Sequence, residues 1–312
     1  MSEEFIFSKI DLADIDELQL LAKENDGNTD LSKKNFTHWY LNNPIKSNSM
    51  WKVSVQNKIE GYATTNNFYY NIEGKDYLVA LPQNVLTSEN VRVKGLFGKL
   101  FYKTEKDNVN ENKVDFFLTS TNSSSTPIFL KKFGYSRAVC PPILIKPLNV
   151  AKFFTKKTYS IIDDVSQINL QHHCNLPNSR TKDIAYFKWR YSQCKKENLT
   201  IILVKKEEEI IGYAFLISKL KYGIKTLLLA DIIAAKEENI FSIIQSAEQF
   251  ASNKLAVALL MFDITYSNKR KGPDFSLKNR FNFLAKGKSE EETLKLSQKP
   301  INYFFGDLDY FW

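Results

Sequence analysis

The strongest constraint on this chain is an internal repeat. The element Phe36-Thr37-His38-Trp39-Tyr40 is echoed by Phe187-Lys188-Trp189-Arg190-Tyr191. Each is followed by an alternating strand, a polar turn and a Gly-Tyr-Ala triplet: residues 51–55, 56–58 and Gly61-Tyr62-Ala63 in one copy, 200–204, 205–209 and Gly212-Tyr213-Ala214 in the other. Trp39 precedes Gly61 by 22 residues and Trp189 precedes Gly212 by 23, a spacing that makes the second half a restart of the first. At 312 residues the chain exceeds one typical domain. The prolines at 141, 142 and 147 mark the seam, so the expected domains are 1–146 and 147–312.

Hydrophobic periodicity fills in each copy. Asp14-Ile15-Asp16-Glu17 reads as a capping box before Leu18, Leu21 and Ala22. Residues 35–41 predict an aromatic helix stopped before Pro44. Residues 51–55 and 59–63 predict a hairpin. The apolar run 77–86, broken only by Pro82, predicts a buried strand. Leu96, Phe97, Leu100 and Phe101 then fall at helical spacing. Residues 114–118 predict a further strand, parallel to 77–86, and Asn122 to Pro127 opens a short helix that ends in Lys131-Lys132-Phe133-Gly134-Tyr135. In the second copy residues 226–234 and 255–264 predict strands, separated by a helix with Ile240, Ile243, Ile244, Ala247, Phe250 and Ala251 on one face. The expected class is α/β (α+β): two tandem domains, each a mixed, mainly antiparallel sheet flanked by helices. Each sheet splays where a loop enters, leaving a cleft at the strand ends.

Composition narrows the partners. An apolar fraction of 43%, with 23 Phe and 15 Tyr, is enough for two cores. The net charge of +8 is spread among 35 acids and accompanies no nucleic-acid recognition motif, but it suits a polyanionic small substrate such as coenzyme A or a nucleotide sugar. The sequence holds no run of 18 apolar residues, no signal peptide and no lipidation motif. A cytoplasmic protein without membrane insertion is expected. Cys140, Cys174 and Cys194 are irregularly spaced, which predicts reduced thiols and no metal site.

The segment Arg92-Val93-Lys94-Gly95-Leu96-Phe97-Gly98 lies between the buried strand and its helix. Such a segment can aim backbone N–H groups at an anion beside a helix N-terminus, which fits a pyrophosphate. The plain alternative is that Gly95 turns the chain and Gly98 permits close packing. The second copy has Ala234-Ala235-Lys236-Glu237-Glu238-Asn239 here, without glycine and with two glutamates that repel a pyrophosphate. Coenzyme binding is therefore expected in the first half alone, with the second half holding the acceptor.

Order and motifs together resemble the GNAT superfamily of acyl-CoA-dependent N-acyltransferases. Arg92-x-x-Gly95 matches the Arg and first Gly of its Gln/Arg-x-x-Gly-x-Gly/Ala signature, with Phe97 where a small residue is usual. Asn122 through Lys132-Phe133-Gly134-Tyr135 resembles its later motif, one residue longer than the common form. The likeness covers roughly residues 1–140. It implies acyl-CoA as co-substrate, with no metal. A backbone N–H at Asn84 to Leu86 would polarise the thioester carbonyl, and pantetheine would run along Val85, Leu86 and Thr87. Arg92, Val93, Lys94, Gly95, Leu96, Phe97, Gly98 and Lys99 would hold the pyrophosphate. Asn122 and Ser125 would bond the pantetheine amides or simply cap a helix, and Phe129 would line the same groove. Phe129 and Leu130 occupy the region where many members carry a proton-donating tyrosine.

Other roles stay open in the sequence. Glu89 is a candidate base or a solvated turn residue, and His172 and His173 read as surface or packing residues. Arg190 and Tyr191 would clamp a diphosphate or form a buried structural pair. Asp307 and Asp309 suit sugar hydroxyls or an ammonium, and equally a cap. Lys269-Arg270-Lys271-Gly272 reads as an exposed loop. The finer resemblance is to tandem GNAT enzymes that acylate nucleotide-linked amino sugars. It implies transfer of an acetyl or 3-hydroxybutyryl group to a dTDP-3-amino-3,6-dideoxyhexose for surface polysaccharide. A monomer is the expected state, which no motif in the sequence fixes. The rivals are a Fem-like aminoacyltransferase using charged tRNA and a non-catalytic binding protein on a degenerate GNAT fold.

Overall fold

The computed structural model describes residues 4–25, 32–147, 157–169, 173–193, 198–221, 223–264, 275–277 and 281–308. The chain divides into two units. Unit 1 comprises Met1–Tyr70, Asp76–Val139 and Phe281–Lys299; unit 2 comprises Asn71–Lys75, Cys140–Arg280 and Pro300–Trp312.

In chain order the first elements are β1 (Phe5–Lys9), α1 (Ile15–Asn25), α2 (Lys33–Phe36), β2 (Asn48–Val55), β3 (Lys58–Ile72), β4 (Lys75–Thr87), α3 (Leu96–Asn110), β5 (Phe116–Thr121), α4 (Thr126–Lys132) and β6 (Ser136–Arg137). The α1 start differs from the expected capping box. The box is built one turn earlier, by Asp11 and Asp14 around the 3-10 turn Leu12–Asp14. Glu17 is thereby released to accept a hydrogen bond from the Ile59 N–H at 2.6 Å. Helix α2 runs on into a π-helical turn, Thr37–Leu41. Leu18, Leu21 and Ala22 of α1 pack with Phe36, Tyr40, Ile59 and Tyr62 in one apolar cluster.

The remaining elements are β7 (Ile143–Pro147), β8 (Tyr159–Ile162), β9 (Ser179–Arg180), α5 (Ile184–Tyr191), β10 (Leu199–Lys206), β11 (Glu209–Lys221), β12 (Ile224–Ala234), α6 (Ile240–Asn253), β13 (Ala258–Phe262), β14 (Phe275–Leu277), β15 (Asn282–Lys286) and α7 (Glu290–Ser297). The sheet of unit 1 has the order β1-β2-β3-β4-β5-β15-β6, and that of unit 2 the order β14-β7-β13-β12-β11-β10-β8. The units therefore differ from the contiguous halves 1–146 and 147–312. Strand β15 pairs antiparallel with β5 and β6, and β7 pairs antiparallel with β13. The physical reason is the open edge of β5, which a returning strand covers.

The repeat holds at the level of single residues. The first hairpin steps from Val53↔Gly61 to Ser54↔Ile59, leaving Glu60 as an extra, bulged residue. The second steps from Val204↔Gly212 to Lys205↔Ile210, leaving Ile211 in the same place. A Cβ on Gly61 would come within 3.0 Å of the Leu86 carbonyl oxygen, and one on Gly212 within 2.2 Å of that of Ile233. Both glycines let the next strand pass close by. Each unit also pairs its long strand in parallel with the strand after its helix, β4 with β5 and β12 with β13. Among the described residues no helix is long and apolar enough to cross a membrane.

Candidate active site

The cleft in unit 1 follows from a proline and a bulge in β4. The Asp115 N–H donates to the Leu78 carbonyl at 2.8 Å, so that edge of β4 faces β5. Backbone groups alternate along a strand, so Ala80 and Pro82 face the same way. Pro82 has no N–H, and the parallel ladder ends at Ala80↔Phe117, just before it. Beyond, the Ser88 N–H donates to the Glu60 carbonyl on β3 at 2.9 Å. Residue 88 has the parity of 78, yet it faces the opposite neighbour. One residue between them must be out of register. Asn84, with φ of 45°, lies at that bulge. The backbone groups of Val85 and Thr87 are thereby turned toward the gap that β5 has left.

Three side chains close a ring of hydrogen bonds around the bulge. Asn84 Nδ2 donates to the Tyr40 hydroxyl at 2.8 Å. Tyr40 and Thr64 hydroxyls lie 2.8 Å apart, and Thr64 Oγ1 donates to the Gln83 carbonyl at 2.7 Å. With the threonine proton committed to Gln83, the Tyr40 hydroxyl donates to Thr64 and accepts from Asn84. Tyr40 and Thr64 are buried, while Gln83, Asn84, Val85 and Leu86 are half-buried along the cleft.

After β4 the expected loop is a 3-10 turn, Glu89–Lys94, closed by Gly95 at φ of 70°. Glu89 is exposed at its head, its N–H donating to Asn25 Oδ1 at 3.2 Å. The side chains of Arg92, Val93 and Lys94 lie outside the described residues. Gly95 is the N-cap of α3 and supplies no side-chain bond to its first turn. Nothing lies within 4 Å of where a Cβ would sit on Gly95 or Gly98. The packing explanation of Gly98 therefore finds no neighbour to accommodate. Lys99 is exposed, whereas Leu96 is buried against Val53, Ala63 and Leu100. Phe97 stacks with Phe101 at 6.3 Å and meets Phe133 at 5.8 Å between ring centroids, so its ring points into the core.

Other expected coenzyme contacts are taken up within the protein. Asn122 Oδ1 accepts from the Ser125 N–H at 2.8 Å and from its hydroxyl at 2.9 Å, a local turn ahead of α4, whose N-cap Ser125 makes no side-chain cap bond. Phe129 is buried edge-on against Phe101 at 5.0 Å and Tyr135 at 5.1 Å. It belongs to the core rather than to a groove.

The expected acceptor residues in unit 2 form a buried ionic cluster. Arg190 donates to the carbonyls of Gly306 and Leu308, both at 2.7 Å, so its guanidinium anchors a chain segment rather than facing a cleft. Lys182 Nζ lies 2.6 Å from Asp231 Oδ1 and 2.8 Å from Asp307 Oδ1, and Arg180 Nε lies 3.5 Å from Asp307. The Tyr191 hydroxyl donates to Asp231 Oδ2 at 3.0 Å. Asp309 lies outside the described residues, as do His172 and residues 269–272. Burial pushes Asp231 up to about 6 despite the Lys182 ammonium. Burial also opposes ionisation of Asp307, but Lys182 and Arg180 outweigh it and hold that carboxyl below its ordinary value.

Unit 2 closes its counterpart of the cleft with its own chain. The Ala235 N–H donates to Ile211 on β11, so the Ala234 carbonyl faces the side where β13 departs. There it accepts from the Cys174 N–H at 2.9 Å. A small pocket beside this contact is lined by His173, Cys174, Ser179, Arg180, Lys182 and Phe304, among others. His173 Nε2 is itself 2.7 Å from the Lys182 carbonyl oxygen. No motif in the sequence marks Tyr40, Thr64, Lys182 or Asp231 as a site residue. Only the two tyrosines that end the repeated aromatic elements carried a signal for them.

No protein-family model matches this chain, and no curated protein is similar to it in sequence. Solved structures are similar in fold. A GCN5-related N-acetyltransferase from Anabaena variabilis superposes with a TM-score of 0.64 at 11% identity, covering 90% of this chain and 72% of that one. Eis1 from Mycobacterium abscessus gives 0.62 at 10% identity over 91% and 73%. Saccharomyces cerevisiae N-myristoyltransferase with bound myristoyl-CoA gives 0.53 at 13% identity over 92% and 80%. At such identities the likeness is one of architecture, and two mixed, splayed, helix-flanked sheets give this chain the tandem GNAT fold.

Proposed function

We propose that the chain is an acyl-CoA-dependent N-acyltransferase whose coenzyme site lies in unit 1. The observation that carries this reading is the start of α3. A left-handed Gly95 and an open Gly98 leave the first turn of α3, the helix that follows β4, with no side-chain cap and no neighbour over its glycines. A pyrophosphate fits such a helix start. Pantetheine would pair with the Val85 and Thr87 edge that Pro82 leaves open, and the Val85 N–H would polarise the thioester carbonyl. The acceptor amine then attacks the carbonyl carbon, forming the C–N bond as the C–S bond breaks. Its proton passes to solvent or to Glu89, and the thiolate is protonated from solvent, because Phe129 has no proton to give.

The acceptor in this reading is a nucleotide-linked amino sugar of the dTDP-3-amino-3,6-dideoxyhexose type, and the acyl group acetyl or 3-hydroxybutyryl. Unit 2, whose own cleft is closed by the contact of Cys174 with Ala234, is assigned no second coenzyme in this reading. The assay is release of free thiol from a panel of acyl-CoA thioesters with that sugar nucleotide. The expected result is acceptor-dependent release. No turnover across the panel of acyl donors and amino sugars would sink the proposal.

A further inference from the structure

We infer that Tyr40 is a positioning residue for acyl transfer, acting through the Asn84 bulge; the inference rests on the coenzyme site proposed above. The hydrogen bonds run Asn84 side chain to Tyr40, Tyr40 to Thr64, and Thr64 back to the Gln83 carbonyl. The ring begins and ends on the two residues that form the bulge. It therefore fixes the one backbone distortion that turns the Val85 N–H into the cleft. Asn84 at φ of 45° takes a conformation uncommon outside glycine, and the ring of bonds holds it there. Both hydroxyls in the ring are buried, where hydrogen bonds are electrostatically stronger than in water.

Unit 2 provides an independent observation. Aligning the units on the Gly-Tyr-Ala triplets and on the bonds Ser88 to Glu60 and Ala235 to Ile211 places Asn84 opposite Asp231. Strand β12 is irregular at the same point, stepping from Leu216↔Leu229 to Phe215↔Asp231. The step leaves Ala230 as the extra residue, and the tyrosine that ends the aromatic helix, Tyr191, again bonds the side chain beside it, its hydroxyl donating to Asp231 at 3.0 Å. There, however, the ring of bonds is broken. Phe215 stands where Thr64 would, stacked on Tyr191 at 4.4 Å, and the Lys182 ammonium covers Asp231. The tyrosine-to-bulge contact belongs to the shared scaffold. The closed ring belongs to the unit with the open cleft.

The test uses the full chain with carbonyl-labelled acetyl-CoA, followed by difference infrared spectroscopy of the thioester band and by titration of binding. Wild type should lower the carbonyl frequency on binding. Tyr40→Phe keeps the aromatic ring and removes the hydroxyl, so it should bind acetyl-CoA within about two-fold of wild type yet lose most of the band shift. With an acceptor that turns over, its kcat should fall about ten-fold or more at nearly unchanged KM for acyl-CoA, the mark of lost positioning rather than lost binding. Asn84→Ala should behave alike and serves if Tyr40→Phe fails to fold. Asn84→Gly in the Tyr40→Phe background should recover part of the shift, because glycine adopts positive φ without a pin. An undiminished shift in both single variants overturns this inference alone. Failure of the wild type to bind acetyl-CoA overturns the proposed function, and this inference with it.

Discussion

Gly98 faces open space on the first turn of α3, where nothing lies within 4 Å of an added Cβ. Glycine inside a helix normally costs stability, so its presence needs a reason outside the fold. Gly98→Ala should stabilise the protein, by up to about 1 kcal/mol in urea unfolding. In the proposed function it should also weaken acyl-CoA binding in a calorimetric titration, because the methyl group enters the space a pyrophosphate would use. Gly95→Val should act differently. At φ of 70° a β-branched residue costs about 1–2 kcal/mol and displaces the helix start. The chain should stay folded by circular dichroism and lose coenzyme binding. Acyl-CoA affinity that survives both changes would remove the phosphate assignment.

At the scale of elements, the two glycines of the repeat make a paired prediction. Gly61→Ala meets the flexible Thr87 side chain at 2.9 Å and the Leu86 carbonyl at 3.0 Å, whereas Gly212→Ala meets the Ile233 carbonyl at 2.2 Å. Overpacking costs about 1–3 kcal/mol, and the second variant should sit at or beyond the top of that range, with the first well below it. Thermal unfolding of both variants orders them. Such elements were legible in the sequence because hairpins, buried strands and α6 each carry a strong local period. The Glu89–Lys94 turn was not, because a turn of 6 residues is too short to leave a periodic trace. Nor could sequence show that Arg190 is committed to Gly306 and Leu308. That depends on partners more than 100 residues away, at separations of 116 and 118. The same holds for Phe129, whose aromatic neighbours decide between core and groove.

Over the whole molecule, stability in acid and base should report the cluster of unit 2. Lys182 is buried between two carboxylates; burial pulls its ammonium down, but Asp231 and Asp307 hold it well above its ordinary value. Lys182→Met removes the shared partner and leaves both carboxyls buried, at a cost of about 3–5 kcal/mol in urea unfolding at neutral pH. Asp231 binds its proton more tightly folded than unfolded, since burial raises it from 3.8 to about 6. Between those values the native state holds the extra proton, so this residue's contribution to stability falls as pH rises. Relative to Asp231→Asn, whose amide does not titrate, wild type should lose ground in unfolding free energy from about pH 4 to about pH 6.

The return of β15 to the sheet of unit 1 has a consequence for how the protein is made. Asn282 bonds Thr121 across 161 residues. On the ribosome, the edge of β5 emerges long before its partner is translated, while β1 to β5 can already assemble. The unpaired strand is a template for mispairing during that interval. Chaperone dependence, or aggregation of nascent chains truncated before residue 282, would be the biosynthetic signature of this connectivity.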